Sequence, residues 1–238
     1  MGCNNPITGY RGITLNPSGK RPIVFNKNEA YTDMPIDVPC GRCMGCRLSK
    51  SRTWALRCMH EASLYDENCF ITLTFDEKHI NKERSLNKKD FTRFIKNLRR
   101  YYPTIKIRYF HCGEYGDQLG RPHHHACLFN FNFEDKETIS FTPTDNELFI
   151  SPTLAKLWPY GNHTIGELNF DTAAYVARYV TKKFTNKDDK IVKDHYGDKI
   201  PEYASMSRMP GIGKEWIKKH TNDVYNHDKV ITLEKGTL

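Results

Sequence analysis

The chain has 238 residues, with 36 lysines and arginines against 28 aspartates and glutamates. That is enough for one substantial core plus an appendage, and the formal charge of +8 favours a polyanionic partner. No apolar run approaches bilayer-spanning length, and MGCNNPITGY lacks the basic-then-apolar order of a secretory signal, so no membrane partner is expected and the protein reads as soluble and intracellular. Gly2 alone fits a myristoylation start, because Pro6 occupies the position that needs Ser or Thr.

Residues 1 to about 45 are rich in Gly, Pro and Asn and read as loops with a short strand. Within them PCGRCMGC spaces Cys40, Cys43 and Cys46 by two residues each, with Gly41 and Gly45 letting the backbone curl. In a reducing compartment eight cysteines point to thiols or metal ligands rather than disulfides. Three thiolates on one loop require a fourth ligand, because a closed structural zinc site is tetrahedral. Cys3, Cys58 and His60 are the candidates, and Cys3 is favoured because it would tie down an N-terminal arm with no other visible anchor. An iron-sulfur cluster and buried free thiols are the alternatives.

RLSKSRTWALRCMHEASLY then predicts a helix with Trp54, Ala55, Leu56 and Met59 as its apolar surface. CFITLTF alternates as a strand, with Ile71, Leu73 and Phe75 on one face and Thr72 and Thr74 on the other. Phe91, Phe94, Ile95 and Leu98 fall at helical spacing in NKKDFTRFIKNLRRYY, which Pro103 ends. The basic and aromatic run RFIKNLRRYYPTIKIRYF, which overlaps it, suits stacking on unpaired bases. TIKIRYFHCGEYG is a strand, DQLGRP a turn and HHHACLFNF the returning strand. A polar connection, a short helix at SPTLAKLW, a strand at NHTIGEL and a helix from Asp171 through Phe184 follow, the last capped by Asp171 or Thr172. The segment 186–199, rich in Lys and Asp, reads as a mobile loop. A hairpin at the centre of this order predicts an α+β fold, an antiparallel sheet with packed helices, rather than a doubly wound parallel sheet. The division expected is an N-terminal cysteine-rich extension over 1–65 and a second domain over 66–238.

Side chains alternate along a strand, so His123 and His125 share a face and His124 takes the other. Glu114, on the neighbouring strand of the hairpin, is the carboxylate placed to complete a His2Glu set. Such a set leaves coordination positions open to substrate oxygens and suits Mg²⁺ or, because of the imidazoles, Mn²⁺. A histidine-triad hydrolase is excluded by Cys127, which stands where a third alternating histidine is needed. On the helix DTAAYVARYVTKKF, Tyr175, Tyr179 and Lys182 form one stripe with Arg178 beside it, while Ala173, Val176, Ala177, Val180 and Phe184 cluster opposite. The expectation is that both tyrosines point away from the helix's core contact. A phenol attacking a phosphodiester forms an aryl phosphate that can itself be attacked again, and Lys182 or Lys183 would favour the phenolate.

FITLTF, CGEYGDQLGRPHHHACLF and YVARYVTKK together resemble the HUH endonucleases that start rolling-circle replication, most closely the replication initiators of microviruses and particularly the gokushovirus branch. VPCGRCMGC, WPYG and SRMPGIG are similar to the same family, so the resemblance runs to about residue 217. The chain departs from the pattern at His124, where a bulky apolar residue is usual. The resemblance implies a ferredoxin/RRM-like sheet and a site-specific nickase and ligase. Tyr175 or Tyr179 would form a 5'-phosphotyrosine, with the metal on His123, His125 and Glu114 and with Lys182 stabilising charge. Arg178, Lys183 and Arg208 are candidate phosphate contacts. The implied partners are single-stranded and supercoiled circular DNA at the replication origin, a host DNA polymerase, and a host helicase, because PGIGKEW lacks the second half of a Walker loop. The implied location is the cytoplasm of a bacterial host. A zinc-ordered single-stranded DNA-binding protein without catalysis, and an HUH transposase or relaxase, are the competing readings.

Overall fold

The computed structural model describes residues 2–116, 119–141, 146–182, 194–227, 231–232 and 236–237, and the side chains of residues 179–182, 226–227, 231–232 and 236–237 lie outside the description. Two compact units divide the chain, residues 1–50 and 51–238.

In the first unit, strands β1 (Ile7–Gly12), β2 (Ile23–Val24) and β3 (Ala30–Val38) form an antiparallel sheet in the order β2-β1-β3, with a register shift at Tyr10/Arg11. This corrects the expectation of loops with one short strand. The Gly, Pro and Asn residues mark the turns, but β3 exposes most of its length, so no apolar alternation betrays it. Ala30 is the buried apolar side chain of this unit among the described residues. Helix α1 (Met44–Ala62) starts in the first unit and ends in the second.

The second unit is built on strands β4 (Asn68–Thr74), β5 (Arg108–Tyr115), β6 (Pro122–Phe129), β7 (Glu137–Phe141), β8 (Glu147–Ile150), β9 (His163–Gly166) and β10 (Tyr203–Met206). Its helices are α2 (Lys88–Tyr101), α3 (Pro152–Leu157), α4 (Phe170–Lys182), α5 (Lys214–Lys219) and α6 (Thr221–His227). The seven strands pair antiparallel throughout in the order β10-β5-β6-β4-β9-β8-β7. The expected α+β architecture of antiparallel sheet and packed helices is thus present, with the cysteine cluster in the N-terminal extension. The polar connection after β6 proved to contain β7 and β8, and β10 pairs with β5 at the sheet's edge.

Helices cover both faces. On one, Ile71 and Leu73 of β4 and Ala126 and Leu128 of β6 pack with Phe91, Phe94, Ile95 and Leu98 of α2 and with Leu154 of α3. On the other, Phe110 and Cys112 of β5 and Cys127 and Phe129 of β6 meet Ala55, Cys58 and Ala62 of α1 and Ala173, Val176 and Ala177 of α4. The four apolar residues of α2 are all at most 3% exposed, as their helical spacing predicts. Truncating one of them, such as Leu98→Ala, costs about 2–5 kcal/mol.

Two of the sequence motifs are clasps. Gly161 of WPYG has φ +153°, and a β-carbon there would lie 2.3 Å from the Thr74 carbonyl oxygen, so only glycine lets this turn close over the end of β4. SRMPGIG is held from beneath: the Arg108 guanidinium, ion-paired with buried Glu61, donates to the Pro210 carbonyl at 2.8 Å. The Gly213 N–H donates to Glu61 at 2.7 Å, and Arg57 donates to the Ile212 carbonyl at 3.0 Å.

Candidate functional site

Alternation along β6 separates the three histidines. His124 lies on the α2 face, fully buried, its Nδ1 3.1 Å from His111 Nε2, and His111 Nδ1 is 2.9 Å from Ser205 Oγ on β10. Phe91 stacks on His111 with ring centroids 3.6 Å apart. Burial, reinforced by His123 and His125, pushes His124 down to about 3, and burial pushes His111 well below the usual imidazole range.

His123 and His125 take the α4 face. The β5/β6 ladder pairs Glu114 with His123 and Cys112 with His125, which puts the carboxylate directly across from one imidazole and diagonally from the other. Glu114 Oε1 lies 2.7 Å from His123 Nε2 and 2.8 Å from His125 Nε2, and it accepts a 2.6 Å hydrogen bond from the Tyr175 hydroxyl. His123 Nδ1 donates to the Arg121 carbonyl at 2.9 Å, which turns the Nε2 lone pair toward Glu114. A lone pair and a carboxylate oxygen approach this closely only when a proton or a cation lies between them. His125 Nδ1 is held by Thr72 Oγ1 of β4 at 2.9 Å, the outer partner that a metal-ligating imidazole usually has. Thr72 was not singled out from the sequence; a hydroxyl on the polar face of the strand flanking the histidines was the available signal.

Burial opposes ionisation of Glu114, but hydrogen bonds from His123 and His125 outweigh it and hold the carboxyl at about 2. For His123 the same carboxylate overcomes burial and raises the imidazole, whereas burial prevails at His125 and lowers it. Glu114 Oε2 is buried without a hydrogen-bond partner. Two imidazole nitrogens and a carboxylate within 4.8 Å of one another, with one orphaned carboxylate oxygen, fit a divalent cation.

Helix α4 brings the phenol to this point. The Asn169 side chain caps it, accepting from the Thr172 N–H at 3.0 Å, while Thr172 Oγ1 accepts from the Asn169 N–H at 2.9 Å. Neither Asp171 nor Thr172 is the cap, a correction of one turn's fraction. Tyr175 is half-buried, edge-on to His125 with centroids 5.0 Å apart. The expectation that it points away from the helix's core contact is therefore corrected: the helix lies flat on β5 and β6, and the long phenol reaches past the Ala173, Val176 and Ala177 stripe to the strand ends. Tyr179 and Lys182 follow one and two turns later on α4, but their side chains, and Lys183 entirely, lie outside the described residues. Arg178 is exposed with its guanidinium 5.9 Å from the Tyr175 ring. Arg208 is not brought to this point. It follows β10 near Arg108, six residues along β5 from Glu114, or roughly 20 Å at the usual strand rise.

In the first unit the Sγ atoms of Cys3, Cys40, Cys43 and Cys46 also lie within 4.8 Å of one another. Backbone N–H groups of Cys40, Cys43 and Cys46 point at the sulfurs of Cys3, Cys40 and Cys43 at 3.2, 3.4 and 3.5 Å. The N–H groups of Cys46 and Asn4 lower the Cys43 thiol to about 6. Gly41 adopts φ +72°, and a β-carbon on Gly45 would strike the Gly2 carbonyl oxygen at 2.1 Å, so glycine at 45 lets the N-terminal arm lie on the loop. Of the other fourth-ligand candidates, Cys58 is fully buried in the second unit's core and His60 stacks on Trp216 at 3.7 Å.

The family model of the replication-associated protein ORF2/G2P matches residues 68–184, the run from β4 through α4 that carries Thr72, Glu114, His123, His125 and Tyr175. Over 244 residues the chain is 36% identical to the replication-associated protein VP4 of Bdellovibrio phage phiMH2K, an alignment covering 97% of this chain and 72% of that protein. The chain belongs to the replication-associated protein ORF2/G2P family. Within the family it is also 36% identical over 222 residues to replication-associated protein ORF2 of Spiroplasma virus 4, covering 89% of this chain and 66% of the relative, so about a third of that relative's length has no counterpart here. Replication-associated protein ORF4 of Chlamydia phage 1 matches at 33% identity over 62% of this chain and 38% of its own length. These relatives agree with the resemblance to microvirus replication initiators. No solved structure matches the chain. Among the described residues no helix is long and apolar enough to cross a membrane.

Proposed function

We propose that this family member initiates rolling-circle DNA replication as a metal-dependent HUH-type tyrosine endonuclease that nicks the origin and later rejoins the displaced strand. The reading is carried by one observation: two imidazoles and the Tyr175 phenol converge on a single oxygen of Glu114 within 2.6–2.8 Å. Glu114, His123 and His125 would hold Mg²⁺ or Mn²⁺, which when bound supplies the positive charge that polarises a phosphate. Thr72 and the Arg121 carbonyl keep both imidazoles aimed, and Glu114 accepts the phenol's proton in a hydrogen bond, so the nucleophilic oxygen is held at the rim of the ligand set. Attack forms the bond from Tyr175 Oη to phosphorus and breaks the bond from phosphorus to the 3' oxygen, which leaves as a hydroxyl by taking up one proton for the one the phenol gives up. The product is a 5'-phosphotyrosine, an ester that a 3'-hydroxyl can attack in turn.

Tyr179, one turn along α4, is the proposed second nucleophile, and Lys182 the cation that stabilises developing charge. Arg178, Lys183 and Arg208 are the proposed phosphate contacts. A structural zinc on Cys3, Cys40, Cys43 and Cys46 would order the extension, with residues 1–65 and 66–238 as the functional division. A host polymerase would extend the free 3' end and a host helicase open the supercoiled circle, in the cytoplasm of a bacterial cell.

The test is a denaturing gel of the protein with Mn²⁺ and labelled single-stranded DNA tiling its replicon, beside Tyr175→Phe, Tyr179→Phe and the double variant. A covalent adduct that disappears only in the double variant is expected. The four-thiol cluster and the net charge also favour a second reading, a zinc-ordered single-stranded DNA-binding protein. Binding without an adduct in any tile, undiminished in the double variant, would establish that reading instead. A defined circular template separates a replication initiator from a transposase or relaxase with the same chemistry.

A further inference from the structure

A cleft of about 610 Å³ opens at the far end of the sheet from Glu114, between the end of α2, the start of β5 and the SRMPGIG loop. Arg99, Lys106 and Arg208 line it with exposed cationic side chains, Tyr109, Met206 and Met209 line it with apolar surface, and among the described residues no carboxylate does. Arg108 also borders it, but its charge is met by buried Glu61 beneath. The loop that forms one wall is fastened by the Arg108, Arg57 and Glu61 contacts, so Arg208 and Met209, the latter 93% exposed, are displayed from a fixed support. Three cations with no compensating acid form an anion site, and an exposed methionine beside them suits a ligand with both phosphates and flat apolar faces.

We propose that this cleft binds the phosphodiester backbone of DNA flanking the cut site, with Arg99, Lys106 and Arg208 on phosphates and Met209 against a sugar or base. The proposal rests on the nickase reading and extends it: the cleft lies roughly 20 Å from the Tyr175 contact along β5, about six nucleotides at the ~3.4 Å rise of a duplex strand. It supplies grip on the flank, leaving the chemistry to the carboxylate end. The SRMPGIG loop thereby acquires a role that its position excludes it from having at the carboxylate.

The experiment is fluorescence anisotropy of the full chain with single-stranded and hairpin oligonucleotides across a salt series. Wild type is compared with Lys106→Ala/Arg208→Ala, its conservative counterpart Lys106→Arg/Arg208→Lys, and Met209→Ala. Each lost phosphate contact lowers the slope of log affinity against log salt by about 0.7 on single strands and 0.9 on duplex. The alanine pair should therefore lose about 1.4 on single strands or about 1.8 on a duplex flank, and the arm that changes identifies the form of DNA bound. The conservative pair should retain the wild-type slope. Met209→Ala should weaken binding at an unchanged slope, because an apolar contact releases no counterion. An oligonucleotide long enough to reach from Tyr175 to the cleft should bind wild type more tightly than one too short to span them, and the alanine pair should lose that advantage. An unchanged slope in the alanine pair on long DNA, or no advantage of spanning over short oligonucleotides in wild type, overturns the proposal. If wild type forms no tyrosine adduct, the nickase reading fails while the salt slopes still decide the cleft.

Discussion

His124 is an imidazole where apolar packing dominates, and its neighbours make it tolerable. Its ring meets Phe75 and Trp158 edge-on, its Nδ1 meets His111, and its Nε2 is buried without a partner. Both buried imidazoles stay neutral: His124 is held near 3, and His111 well below 6.5. In the unfolded chain they protonate below about 6.5, while the folded state refuses the proton, so their contribution is fully present above that pH and is lost as pH falls toward 3. We predict that the urea midpoint of the second unit, read from the fluorescence of Trp54, Trp158 and Trp216, declines between pH 7 and 4, and that His111→Phe/His124→Leu flattens this decline. Equal declines in the two proteins would refute the assignment. The division of HHH into a pair facing Glu114 and a buried middle member was legible from strand alternation alone. The His111 partner was not, because its place opposite the strand depends on a hairpin register that residue types do not fix.

At the scale of elements, α4 shows how a cap serves a site. Asn169 and Thr172 satisfy each other's backbone donors at the helix start, and Tyr175 follows one turn later. Asn169→Ala should cost about 1 kcal/mol of stability in denaturant titration. It should also slow adduct formation at saturating DNA more than it weakens DNA binding, since a frayed first turn moves the phenol away from Glu114 while leaving the exposed cations in place. Equal loss of binding and rate would argue against this role. Helix α2 was legible because Phe91, Phe94, Ile95 and Leu98 repeat at its period and all face the core. Strand β7 was not, since ETISF is exposed throughout and carries no alternation, and four-residue β10 is too short to show any. The capping residue was misread by two or three positions because Asn, Asp and Thr crowd the helix start and all suit the role.

For the whole molecule, the two units are held by different physics. The second buries two apolar layers on its sheet, while the first, with Ala30 as its buried apolar side chain among the described residues, has its four thiols in place of a core. A strong metal chelator, or Cys43→Ser, should expose residues 1–50 to trypsin while the tryptophan signal of the second unit persists. Resistance of the N-terminal unit to both treatments would show that it needs no ion. The cysteine spacing made this cluster legible, whereas the small sheet of the same unit was hidden by its own exposure. The run of histidines has a wider consequence. Sliding β6 by one position would leave a chemist's inventory of the neighbourhood nearly unchanged, yet Glu114 would face one imidazole instead of two, and Cys127 and Phe129 would trade layers with Ala126 and Leu128. A single deletion in the turn at Gly120 is therefore a frameshift in space, silent in composition and complete in effect.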